Sequence, residues 1–267
     1  MVSSRTGTLI MLGWVAVLAG ALPGSAGAQE KATTPEHKAA ANLPPVEIIL
    51  GPSEGTATPS HQGLSGHAGG GNITVNRLDP TTVAITMTGV AVAKGDNAFF
   101  ETSAGYEFDH LQSFEVVFHS SDIKSVKLML EGTVLGRLRS YCECQRVCKK
   151  GGTAQITTPG CAEVTCGSAE ILAVHLPARE AGGCDSQTIH NHEGPVGVSI
   201  RPGKYTLHER FGFLASTPAS YLLTRFAAAD FSPEWVLDLR SLGFPEPFIA
   251  YGNRDFGFTV VLKAVPE

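Results

Sequence analysis

Apolar and polar residues alternate in short runs through the last two-thirds of this chain, and a period of two fits strands rather than helices. In Thr82-Val83-Ala84-Ile85-Thr86-Met87-Thr88 the side chains of Val83, Ile85 and Met87 share one face. Phe114–Phe118 and Lys124–Glu131 repeat the pattern, the second with Val126, Leu128 and Leu130 pointing together. Further strands are expected near 169–176, 196–201, 204–209, 220–226 and 257–264, the last apolar on both faces and suited to the centre of a sheet. Thirty glycines and 16 prolines in 267 residues work against long helices. The expected fold class is all-β, a mainly antiparallel sandwich or barrel-like domain with one short helix and a disulfide-stapled loop region. The helix would start at Ser232-Pro233-Glu234, an N-cap followed by proline and an acid at the positive dipole end, and stop at Gly243.

Arg201-Pro202-Gly203-Lys204 reads as a turn, with proline presetting φ and glycine free to take positive φ. Folding the chain there as a hairpin pairs Ile200 with Tyr205 and Val198 with Leu207, four apolar residues on one face. The run Val198-x-Ile200-x-Pro202-Gly203-x-Tyr205-x-Leu207 resembles strands of transthyretin-like, carboxypeptidase-regulatory-like sandwiches of exported proteins. That resemblance implies architecture and no activity.

Residues 1–28 have the layout of a secretory signal peptide: Arg5, an apolar run Leu9–Leu22 too short to span a bilayer comfortably, and small residues at Ala26-Gly27-Ala28. The chain is accordingly expected to be secreted, periplasmic or at the cell surface, with no membrane span once the signal is removed. Residues 29–71 read as a low-complexity linker ending in Gly69-Gly70-Gly71, with one island, Val46–Leu50, as an edge strand. Residues 72–267 are then a single β-sandwich-like domain carrying a cysteine-rich insertion over 141–185. A net charge of −5 provides no overall field to recruit nucleic acid.

All six cysteines fall in that insertion: Cys142, Cys144, Cys148, Cys161, Cys166 and Cys184. An even number in an exported chain makes them disulfide candidates, and the glycine-rich segment around them would need such staples. Cys142-x-Cys144-x3-Cys148 also resembles zinc-binding spacing. Arg137, Arg139, Arg146, Lys149 and Lys150 add a basic patch, either a solvated loop or a surface for an anionic polymer or an envelope protein.

The densest polar group is His190-Asn191-His192-Glu193, with His208-Glu209 one turn later. Two histidines two apart on a strand share a face and can chelate one metal. His-x-His-Glu resembles the copper-ligand strand of copper/zinc superoxide dismutases. The resemblance implies a transition metal, zinc or copper, held by His190, His192 and His208, with Glu193 behind a ligand or acting as base. Gly-x-Ser-x-Gly, phosphate-loop and dinucleotide motifs are missing from the sequence. Asp109-His110, or His119 with Asp122, could orient a base near a serine such as Ser120. The functional expectation is an exported, non-catalytic β-sandwich with a binding or cell-envelope role and no cofactor. The alternative is a metal-binding protein or metal-dependent enzyme built on the histidines.

Overall fold

The alternating runs are strands in the computed structural model, which describes residues 43–95, 100–142, 151–219, 224–233, 237–244 and 253–267. Most strands are longer than the runs that announce them. In chain order they are β1 (Val46–Gln62), β2 (Gly66–Asp79), β3 (Thr82–Gly95), β4 (Thr102–Phe118), β5 (Val126–Cys142), β6 (Gly152–Cys166), β7 (Ala169–His175), β8 (Glu180–Gly183), β9 (Ser186–Ile200), β10 (Gly203–Thr217), β11 (Arg225–Phe231) and β12 (Gly257–Pro266).

Two antiparallel six-stranded sheets result, and each has five lanes. One sheet, A, runs β1-β4-β10-β6, with β7 and β8 end to end along β6. The other, B, runs β2-β3, then β11 and β12 end to end, then β5-β9. In sheet B, Phe231 pairs with Gly89 and Phe258 with Met87, so β12 resumes the lane where β11 leaves it. The inward faces of the two sheets supply the core. Its centre is aromatic: Phe211 and Phe213 of sheet A meet Phe231 and Phe258 of sheet B, with ring centroids 4.9–5.5 Å apart across the interface. Fully buried aromatic rings of this kind dominate the energetics of a core. A smaller cluster, Val90, Val92, Phe226, Ala228, Leu239 and Phe244, covers the outer face of sheet B.

Several expectations are corrected. Residues 43–71 are not linker: β1 pairs along β4 from Val46 to Gln62, and β2 borders β3 from Gly66. Small and polar residues form strands here because an edge strand is held by backbone hydrogen bonds and needs little apolar burial. The region 141–185 is likewise no loop insertion, since β6 is an interior strand of sheet A flanked by β10, β7 and β8. The expected β9–β10 hairpin does not form. β9 pairs with β5 in sheet B and β10 with β4 and β6 in sheet A. Ile200, Tyr205 and Leu207 are all buried, as the parity requires, but they face across the sandwich rather than along one sheet. Tyr205 Oη closes the turn by donating to Arg201 O at 2.7 Å.

The short helix is not present among the described residues. Residues 238–244 form one turn in which the Asp238 carboxylate accepts from the Arg240 and Ser241 amides, and Gly243 ends it at φ 72°. Glu234 and Trp235 lie outside the described residues, as do residues 1–42 with the expected signal segment.

Candidate functional site

β6 alternates Ala162 and Val164 into the core with Cys161 and Glu163 on the outer face of sheet A. After the turn at Gly167, whose φ of 62° suits glycine, β7 returns and sets His175 directly opposite Cys161. Cys161 Sγ lies 3.2 Å from Glu163 Oε1 and 3.2 Å from His175 Nδ1. The three ligand atoms lie within 4.8 Å of one another, and among the described residues this is the group of histidine, cysteine and carboxylate atoms that could hold a metal.

The surroundings fix the cluster. On the other side of β6, Arg210 of β10 pairs with Cys161 in register and places Nη2 3.3 Å from Glu163 Oε1. The β10–β6 ladder is irregular here, between Arg210 and Phe213, and such bulges re-aim side chains near sites. Glu193 of β9 accepts the His175 backbone N–H at 2.7 Å, and Leu176 N donates to Gly160 O at 2.7 Å, so β7 is pinned on both sides of the imidazole. Burial pushes the Cys161 thiol up to about 11, the Glu163 carboxylate adds to the shift, and Arg210 opposes it. Arg210 also lines a depression of about 430 Å³ shared with Thr56, Thr58, Glu107, Phe108, Asp109 and Thr158.

The expected histidine site does not assemble. His190 and His192 stand exposed on sheet B, whereas His208 points outward from sheet A. Outward positions on two packed sheets diverge, so the three rings cannot share an ion. His192 Nδ1 instead lies 3.1 Å from Thr133 Oγ1, and His208 Nε2 lies 2.9 Å from Asp109 Oδ1. Glu193 does reach the metal-capable cluster, but through its hydrogen bond to the backbone of His175.

The cysteines are also redistributed. Cys161, Cys166 and Cys184 are free thiols, and no disulfide joins two described residues. Cys184 follows β8 beside Gly152, nine residues along β6 from Cys161. At roughly 3.3 Å per residue that is far beyond bridging reach. Cys142, buried at the end of β5, is disulfide-bonded as its candidacy required, and Cys144 and Cys148 lie outside the described residues.

Of the expected basic patch, Arg137 and Arg139 face the buried Asp230 of β11, and Arg137 also lies 5.8 Å from the centroid of the Phe256 ring. Arg146, Lys149 and Lys150 fall outside the described residues. The expected bases separate as well: Asp109 is taken by His208, and His119 Nε2 lies 3.1 Å from Glu47 Oε2 rather than near Ser120. His110 turns inward, away from Asp109.

Sequence reasoning missed the Cys161–Glu163–His175 cluster. Its signal was only partly local: Gly167-Ser168 turns β6 into β7 and Glu163 shares the face of Cys161, but a regular hairpin there would set Val174 against Cys161, and the register shift between Val164 and Thr165 is what brings His175 across. Compared with protein-family models, with curated proteins and with solved structures, the chain matches none.

Proposed function

We propose that this chain is an exported β-sandwich protein whose binding role is to hold a transition metal ion at Cys161, Glu163 and His175. The observation that carries the reading is the mutual approach of one thiol, one carboxylate and one imidazole on the outer face of sheet A. Sulfur, nitrogen and oxygen together suit zinc, a borderline ion that accepts all three. Three protein ligands leave a fourth position open to water or to a ligand. Arg210, paired with Glu163, also lines the neighbouring depression. The amino-terminal segment supports export, because its charged, apolar and small-residue portions follow the order of a secretory signal.

The test is elemental analysis of protein made without a histidine tag, followed by cobalt titration monitored for thiolate-to-metal charge transfer. One equivalent of metal is expected in the parent chain and in the His190→Ala/His192→Ala double variant. Cys161→Ser and His175→Ala are each expected to lose it while keeping their fold by circular dichroism. A parent chain that binds no zinc or cobalt defeats the reading. So does metal that survives the loss of Cys161 and His175 but not of His190 and His192.

A further inference from the structure

Apart from the paired threonines Thr102 and Thr217 at one end, the buried positions of β4 and β10 are apolar except at His110, Gln112 and Glu209, which lie on neighbouring rungs. His110 is 2% exposed and Glu209 0%, and they are cross-strand partners with Nδ1 2.6 Å from Oε2. Replacing a buried ionisable pair by apolar residues is often neutral or stabilising, so stability alone does not account for this one. Burial raises the Glu209 carboxyl above its usual range, and Glu209 Oε1 is buried without a hydrogen-bond partner.

A third side chain completes the array. On β1, Leu50 pairs with Phe114, but Ser53 pairs with Gln112, so one extra residue is accommodated at Gly51-Pro52. The bulge inverts the parity of β1: Ile48 points inward, and beyond the bulge Ser53 takes the inward position. Gln112 holds it there, its amide donating to Gly51 O at 3.0 Å and Ser113 O at 2.8 Å. Ser53 Oγ then stands 2.9 Å from His110 Nε2, and Ser53 is exposed on the edge strand. Gly55 makes room for the imidazole, since a Cβ there would lie 2.8 Å from His110 Cδ2 and 3.1 Å from Ile73 Cδ1.

We propose that Ser53, His110 and Glu209 form a nucleophilic relay able to cleave carboxylic esters that reach the β1 edge. With Nδ1 donating to Glu209, Nε2 is left to accept the Ser53 hydroxyl proton. Ser53 Oγ attacks the ester carbonyl carbon and its proton passes to Nε2. The C–O bond to the alcohol breaks, and the alkoxide takes that proton and leaves as alcohol. Water then attacks the acyl-serine, giving one proton to Nε2. The acyl–Oγ bond breaks, the carboxylic acid departs, and Ser53 Oγ recovers the proton. Glu209 is a positioning residue, fixing the ring and balancing the imidazolium. No metal takes part, so the relay stands or falls separately from the Cys161 cluster.

The test uses the folded full chain and a fluorophosphonate probe, with adducts mapped by mass spectrometry. Serine displaces fluoride from phosphorus and its proton goes to His110, so only an activated serine reacts quickly. Ser53 is expected to label at least ~100-fold faster than the serine at position 120 of the same molecule, and Ser53→Ala to carry no adduct at position 53. Glu209→Gln is expected to lower the maximal labelling rate ~100-fold with the half-saturating probe concentration unchanged. In His110→Ala, added imidazole is expected to restore labelling about tenfold. Ser53 labelling no faster than Ser120 overturns the proposal. So does undiminished labelling in folded Glu209→Gln. If that variant does not fold, the comparison of the two serines within the parent chain decides.

Discussion

Gly136 of β5 lies beneath the ring of Phe231 of β11, so close that a Cβ at Gly136 would stand 2.3 Å from Phe231 Cδ1 and 2.8 Å from Asp230 O. The second contact is with backbone, so rotating the ring does not relieve it. Gly136→Ala is expected to destabilise the fold by about 1–3 kcal/mol, the usual range for overpacking. A lower urea midpoint at unchanged m-value measures it.

Phe211 sits between the two sheets, edge-on to Phe231 at 5.1 Å and 5.5 Å from Phe258. Phe211→Ala leaves a cavity where both sheets contribute walls, and its expected cost is about 3–5 kcal/mol. Phe211→Leu, which retains most of the volume, is expected to cost clearly less. Chemical denaturation of the two variants side by side checks the order.

Gln112 joins the bulge of β1 to the interior. Gln112→Leu keeps the side chain's size but leaves Gly51 O and Ser113 O without their amide donor, at an expected cost of about 1–3 kcal/mol. The same variant is expected to slow fluorophosphonate labelling of Ser53, because the bulge sets that side chain's direction. A stability loss with labelling unchanged would detach the bulge from the relay.

Asp230 makes stability depend on pH. Burial raises its carboxyl to about 6 from 3.8, against the opposing pull of the Ser232 amide and of Arg137 and Arg139 on β5. The folded chain therefore binds this proton more tightly than the unfolded chain does. The stabilising contribution of the protonated form is fully present below about pH 4 and is lost as pH rises through about 6. A shift of two units corresponds to a penalty on the order of 3 kcal/mol for the ionised group at neutral pH. Asp230→Asn is expected to raise the melting temperature at pH 7, with the gain shrinking through pH 6 and vanishing near pH 4. Thermal melts of parent and variant across that range provide the comparison.

Parts of β3, β4, β5, β7, β9, β10 and β12 were legible because burial of one face imposes a period of two, as the inward Val83, Ile85 and Met87 of β3 show, whereas β6, read as part of a loop insertion, and β8 were not. The exposed second half of β1 and the half-buried, glycine-rich start of β2 were not, since ladder bonds hold them and leave no mark on hydrophobicity. Parity alone also left the partner of β10 undecided, because an apolar face can be covered from the same sheet or from the opposite one. Cys161 and Glu163 share a face by parity, but a regular hairpin would turn Val174 rather than His175 toward Cys161, and the irregularity between Val164 and Thr165 left no mark in the sequence. Ser53, His110 and Glu209 were beyond any local argument: 57 and 99 residues separate them, and only the order β1-β4-β10 brings them together.

The collinearity of β11 and β12 has a consequence for how this architecture can diversify. Along β5, Asp230 pairs with Arg137 and Gly257 with Leu135, so Phe231 and Gly257 occupy successive rungs. Everything from Ser232 to Phe256 is spliced into what is geometrically a single strand. The seam can exchange its contents as a cassette, long or short, without shifting any other pairing. What an exchange there would alter is the cover over Val90, Val92, Phe226 and Ala228.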